Sequence, residues 1–517
     1  MTGAPSLRRG SGRLLTRGAA SYFLIALASL LYLWPFMRVM WDSPDEGILL
    51  EGARRIADGQ LPGRDFLEPL GPGSFYWMAG FFHLFGTSIG TARGLLLGTG
   101  VAIALAMYHL ATRAGAQAGL CAGLFVVLAI AAFPVSNHHH DSDMLCLLAL
   151  CAFVEWQRGG SALLLAGSGV LAGAATLTTQ SEGLLFLAGL LLSVVLVNRT
   201  AGKWLTSSFL YLIGPYLAVL VAVGIYYYER GALQDLVWAN VIWPASRYLA
   251  SIRCPYAMTL TIPLKAIRDG TAEVMPGYLS LAATAFVGLP FLVVVAVPLL
   301  LAGLAIRLRA RAVPSVLIPF WCCGIGIWLS ELQRPDLAHL IWGSAILLIL
   351  VSALWRRISG GRVLTLLLSV SLGLLASIYL VVAFSARTPI ETRRGRLVGQ
   401  SQDQALSFLL GNTQPGDEIF VYPFSPIYYF LSNTRNPTRV SNYIYGWNPP
   451  DQFTDAVDRL ETKRVRFILW DADTDRRFLL PHYQSPPASE QIIERYIESR
   501  YHRLGSAGRF RIMERNR

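Results

Sequence analysis

WDSPDEGILLEGARRIADGQLPGRDFLEPLGPGSFYWMAGFFHLFG, residues Trp41–Gly86, decides how the rest of this chain is read. Two acids, Asp45 and Glu46, open it. Ile48, Leu49, Ala53 and Ile56 then recur at helical spacing, while Glu51, Arg54, Arg55 and Asp58 fall mostly on the other side. That pattern predicts an amphipathic helix lying along a membrane surface. Gly59, Pro62 and Gly63 break it, and a mixed aromatic segment from Phe75 to Phe85 is expected at the interface too. A loop folded back in this way, opening with paired acids, makes a roofed site at the lipid–water boundary. The plainer reading of Asp45 and Glu46 is that acids favour helix starts through the helix dipole.

Apolar runs flank this segment on both sides. One spans 22–40 and the next 90–112, and others follow at 117–135, 143–156, 161–178, 183–198, 205–227, 279–306, 314–330, 339–355 and 363–384. Matched to ~30 Å of hydrocarbon, these predict an α-helical polytopic membrane protein with about eleven transmembrane helices. Composition agrees: the chain is 15% charged and 54% hydrophobic, against ~25% and ~45–50% for a soluble domain. The net charge of +12 sits in short clusters between apolar runs, which suits membrane orientation and argues against nucleic acid. Of the six cysteines only Cys254 lies outside the apolar runs, and none has zinc-finger spacing.

Arg8, Arg9, Arg13 and Arg17 precede the first run, which is too long for a signal-peptide core. Residues 1–20 are therefore expected in the cytoplasm. Alternation then puts Arg113, Arg158, Arg199 with Lys203, Arg307 with Arg309 and Arg311, and Arg356, Arg357 and Arg362 in short inner loops, as the positive-inside rule asks. The membrane domain, 21–385, sends its long loops outward: 41–89, 229–278 and 331–339. Residues 386–517 form a soluble outer domain of α/β type. Asp417–Pro423 and Val465–Asp471 read as strands, Glu490–Tyr501 as a helix and Gly508–Arg515 as an edge strand. No compact catalytic motif is visible there, and a capping or acceptor-binding role is expected.

Two further outer segments carry chemistry. NHHHDSDML, Asn137–Leu145, holds three successive histidines that cannot share one helical face. One or two of them with Asp143 or Asp45 would offer ligands to a divalent cation, His138, His140 and Asp143 first among them. The alternative is a hydrated polar turn. SELQRPDLAHL, Ser330–Leu340, supplies the fixed fork of Arg334 and places Asp336 and His339 one turn apart. These suit a clamp on a phosphate, Arg334 and His339 binding and Asp336 orienting one of them. The competing reading is a helix-start acid beside a snorkelling arginine.

The stretch SPDEGILLEGARRIADG, followed by EPLGPGSFYWMAGFFHLFGTSIGTARG, resembles the first outer loop of the GT-C glycosyltransferases. It is most similar to the branch that holds protein O-mannosyltransferases and the lipid A aminoarabinose transferase. The resemblance covers roughly residues 20–200, with an echo at RPDLAH. It implies transfer of a hexosyl or pentosyl group from a polyprenyl-phosphate-linked donor to a lipid, glycan or protein acceptor. It also implies a bacterial-type inner membrane, with the C-terminal domain on the periplasmic side. Asp45 matches the acid that family uses for catalysis, as general base, with Glu46 supporting it or lining the acceptor site. The family often carries an acid at the turn after the third helix, where Asp143 matches best and Asp141 competes. Gln180, Ser181 and Glu182 stand where the aminoarabinose branch carries a lysine, so a phosphate contact is not expected there. The rival classes are a transporter or flippase for lipid-linked saccharides, which would place its charged site near the bilayer midplane, and a non-catalytic binder of them.

Overall fold

The computed structural model describes residues 10–517 apart from 42, 69, 202–205, 249–251, 309–313 and 473–485, and the side chains of 10–17, 198–201, 206 and 248 are likewise not described. Arg8, Arg9, Lys203, Arg309 and Arg311 of the expected inner loops lie outside the described residues, as do the side chains of Arg13, Arg17 and Arg199.

Every apolar run becomes helical. The first is α1 (Gly10–Leu33), which continues into a tight turn, Trp34–Arg38. The loop that follows folds as α2 (Pro44–Ala57) and α3 (Pro72–Phe85). Then come α4 (Ile89–Ala114), α5 (Ala118–Phe125, prolonged by a wide turn Val126–Ala131), α6 (His138–Gln157), α7 (Ala162–Thr178), α8 (Gln180–Ala201) and α9 (Thr206–Glu229). The run near 279–306 is broken into Gly277–Val287, Leu289–Val295 and Val297–Arg307. Helices Ile318–Glu331, Leu337–Trp355 and Gly361–Ser385 complete the bundle. The chain is an integral membrane protein. Among the described residues six helices are long and apolar enough to cross a bilayer, or seven if the pair bent by 55° at Gly288 is one span. The rest are shorter, or, like α6, begin with charged residues, so length does not fix a count of eleven.

The bundle is organised around Leu337–Trp355, of which 89% is buried, against 11% for α9. An apolar helix enclosed on all sides by others is the core of the bundle, and one with bare apolar faces meets lipid.

The soluble domain has a hairpin, β1 (Thr388–Thr392) with β2 (Gly395–Gly399). Its four-stranded sheet contains β3 (Phe420–Tyr422), β4 (Phe467–Trp470), β5 (Tyr501–Ala507) and β6 (Phe510–Arg515) in the order β3-β4-β6-β5. β3 and β4 are parallel and the other pairs antiparallel. The segment Gly508–Arg515, expected at an edge, is an inner strand. β5 leaves the helix Ile492–Arg500 directly, turns back at Gly508 with φ +59° and covers the free side of β6.

This domain also alters the reading of α2. Glu51, Arg54 and Arg55, expected to face water, are 1%, 6% and 6% exposed. Arg54 forks onto Glu51 at 2.6 and 2.8 Å, and Arg55 donates to Gln60 Oε1 and to the carbonyls of Thr438 and Asp65. α2 is thus not a bare surface helix: the C-terminal domain roofs its polar face. A Cβ at Gly47 would lie 2.3 Å from the backbone N of Ile427, so the helix Ile427–Ser432 reaches α2 only because residue 47 is glycine. Met40 N donating to the Val398 carbonyl and Leu67 N to that of Arg439, both at 2.8 Å, fasten the two parts together.

Candidate active site

Three helix starts meet beneath that roof. Asp45 lies in the first turn of α2, behind Pro44, whose fixed φ suits the first helical position. Asn137 caps α6 by accepting from His139 N at 2.9 Å, and its Nδ2 donates to Asp45 Oδ2 at 3.3 Å. Asp336 caps Leu337–Trp355, accepting from His339 N at 3.1 Å. Orphan N–H groups and the positive ends of three helix dipoles therefore gather at one place, a setting that favours anions.

Asp45 is surrounded by protein on all sides yet remains accessible, which describes the wall of a recess. That enclosure pushes its carboxyl above the usual Asp range, while Arg334 and His339 pull it down. Asp336 links these two: Arg334 Nε sits 2.9 Å from its Oδ2, and His339 Nδ1 sits 2.8 Å from its Oδ1. Burial alone would raise Asp336, but His339 and Arg334 hold it at about 2. The fold thus brings Asp45 and the Arg334–Asp336–His339 triplet together from opposite ends of the membrane domain.

Glu46 goes elsewhere. Its Oε2 pairs with Arg93 Nη2 at 2.7 Å, and its Oε1 accepts from Ser136 N at 3.2 Å. Arg93 also donates to the Pro134 carbonyl. With both oxygens committed inside the protein, Glu46 ties α2 to α4 and to the link before α6. These are the contacts of a residue that supports the start of α2, one of the two roles expected of Glu46 beside lining an acceptor site.

The histidine run also resolves differently. His140 Nε2 lies 3.2 Å from the Ala129 carbonyl, so the ring is turned away from the recess. Asp141 packs beside Ser74, under α3. It is His139 that points inward, its ring stacked on Trp342 at 4.3 Å and edge-on to His339 at 5.1 Å. Among the described residues the one group with ligand atoms close enough for a metal ion is His139, Glu331 and His339, within 4.8 Å of one another. The set expected from the sequence, His138, His140 and Asp143, is not assembled, because residues two apart on a helix, as His138 and His140 are, point about 200° apart. Asp143 instead faces Glu182 and Glu331. Neither glutamate stood out in the sequence as a site residue. The available signal was an ionisable side chain at the end of an apolar run, which by default marks function.

No family model matches the chain, and no curated protein matches it. Among solved structures it is similar to ArnT from Cupriavidus metallidurans bound to undecaprenyl phosphate, at 13% identity over 96% of this chain and 98% of that one, with a TM-score of 0.40. The apo state of the same protein gives 14% identity, the same coverage and a TM-score of 0.40. The Saccharomyces cerevisiae protein O-mannosyltransferase Pmt1–Pmt2 complex bound to its sugar donor gives 16% identity over 42% of this chain and 34% of that one, with a TM-score of 0.32.

Proposed function

We propose that this protein is a membrane glycosyltransferase, taking a sugar from a polyprenyl-phosphate donor and passing it to an acceptor hydroxyl on the outer face. What carries this reading is the meeting of an accessible carboxylate, Asp45, with the Arg334–Asp336–His339 triplet where three helix starts converge. A base and a phosphate-binding cation then stand in one recess. The similarity of the loop Trp41–Gly86 to the first outer loop of GT-C enzymes points the same way.

The acceptor O–H gives its proton to Asp45 as its oxygen attacks the anomeric carbon. The bond from that carbon to the phosphate oxygen breaks, and the electron pair leaves with polyprenyl phosphate. A single displacement of this kind inverts the anomeric centre. Arg334, oriented by Asp336, meets the charge that grows on the departing phosphate, inside a roofed recess where such help counts for more than in water. The raised Asp45 carboxyl is a stronger base than an ordinary aspartate. The C-terminal domain, seated on α2, is placed to bound the acceptor side.

The test is made on the purified full-length protein in nanodiscs. Native mass spectrometry should find polyprenyl phosphate bound, and a sugar-charged polyprenyl phosphate should lose its sugar in the presence of an envelope acceptor extract. Failure to bind polyprenyl phosphate, or an unchanged charged lipid across acceptor extracts, would remove the reading.

A further inference from the structure

Just behind the Asp45 recess lies an acidic cluster that the transfer step leaves unused. The ends of α6, α8 and Ile318–Glu331 bring together Asp143, Glu182 and Glu331, which are 1%, 1% and 3% exposed. Their local partners are neutral hydroxyls: Ser142 Oγ donates to Glu182 Oε2, and Ser330 Oγ to Glu331 Oε1 at 3.0 Å. Both Asp143 oxygens, Glu182 Oε1 and His139 Nδ1 are buried without a hydrogen-bond partner. Buried polar atoms left without partners are costly, and more so when charged, so this cluster is suited to a ligand that satisfies them. Arg334, the nearby permanent cation named above, is already engaged by Asp336.

The geometry points to an ion. His139 Nδ1 lies 3.9 Å from Glu182 Oε2 and 4.0 Å from Glu331 Oε2. The ligand atoms of His139, Glu331 and His339 fall within 4.8 Å of one another, so small side-chain rotations bring them to the ~2.0–2.2 Å bonds of a divalent transition ion. His339 has its Nδ1 on Asp336 Oδ1, which fixes the ring and leaves Nε2 as the nitrogen for a metal. A carboxylate behind a ligating histidine is the usual supporting arrangement. The stack on Trp342 holds the His139 ring in place. We propose that His139, Glu331 and His339 bind a divalent transition ion of the zinc or manganese type, with Glu182 and Asp143 closing its coordination or holding its water. Two nitrogens with carboxylate oxygens suit that class better than magnesium or calcium, which prefer oxygen alone. Ion binding stands apart from the transfer reading. Only its use, a positive charge set beside the donor phosphate, rests on that reading.

The experiment reads metal and not turnover, so its failure is distinguishable from failure of the transferase reading. Full-length protein, stripped with chelator and reloaded separately with Zn²⁺ and Mn²⁺, is washed and analysed by elemental mass spectrometry and titration calorimetry with no donor present. A single ion per chain is expected. His139→Ala and Glu331→Gln should weaken it at least tenfold, and Asp336→Asn about 10–100-fold through loss of the supporting carboxylate. His140→Ala, whose ring turns to the Ala129 carbonyl, should bind as wild type does. X-ray absorption at the metal edge of the loaded wild type should show mixed nitrogen and oxygen ligands even where a variant fails to fold. No stoichiometric ion in wild type, a shell of oxygen alone, or equal binding in folded His139→Ala and His140→Ala would overturn the site.

Discussion

Glu46 and Arg93 form an ion pair of 2.7 Å with side chains 1% and 4% exposed, joining the helix that carries Asp45 to α4. Breaking a pair so deeply buried leaves one charge uncompensated, at a cost of about 3–5 kcal/mol. Glu46→Gln should therefore lower the unfolding midpoint in detergent markedly, and adding Arg93→Met should recover much of the loss. A Glu46→Gln protein of normal stability but with abolished transfer would return Glu46 to a catalytic role.

Arg334 should govern the donor. Its guanidinium is oriented by Asp336 at the recess, where a fork matches phosphate oxygens. Losing a charge-assisted hydrogen bond costs about 1.5–3 kcal/mol, so Arg334→Ala should bind polyprenyl phosphate roughly 10–100-fold more weakly, with the fold intact. Arg334→Lys should recover part of this, since a point charge does not reproduce the fork. Affinity measured on nanodisc-embedded protein decides it, and wild-type affinity in Arg334→Ala would take this residue out of the site.

Glu68 gives the seam between the loop 41–89 and the C-terminal domain a pH dependence. It is 5% exposed, lines a small cavity with Trp243, Asn442 and Trp447, and is held by Ser441. Burial raises its carboxyl to about 7, against the pull of Ser441 and Arg55, from an ordinary 4.5. The folded state then holds a proton that the unfolded chain has lost. Its stabilising contribution is complete below pH 4.5 and is lost as pH rises through 7. Glu68→Gln should flatten this slope, melting near wild type at pH 5 and above it at pH 8. Parallel melting curves for the two proteins across that range would contradict the assignment.

The helices were legible because an apolar run has one stable form in a bilayer. The acids and arginine of the candidate site were legible because ionisable groups at such helix ends are costly without a use. What brings Asp45 beside Arg334 is not: nearly three hundred residues separate them, and helix packing closes that gap. The burial of Glu51, Arg54 and Arg55 was equally hidden, since an amphipathic pattern records one apolar face but not what covers the other. Glu182 and Glu331 lie far apart in the chain, and only the meeting of their helix ends with that of Asp143 makes them one cluster. The alternation of Gly508–Arg515 fitted a strand with one wet face, and only β5 folding back made it interior.

The central claim is that Asp45 takes the acceptor's proton. Asparagine at this position keeps the size of the side chain, can still pair with Asn137 and caps helices well, but it accepts no proton. The most direct measurement is single-turnover transfer from a sugar-charged polyprenyl phosphate by nanodisc-embedded Asp45→Asn, with donor binding measured on the same sample. The account predicts normal donor binding and a rate lower by about 10²–10⁴-fold. A well-folded Asp45→Asn protein that binds donor and transfers at close to the wild-type rate would contradict it.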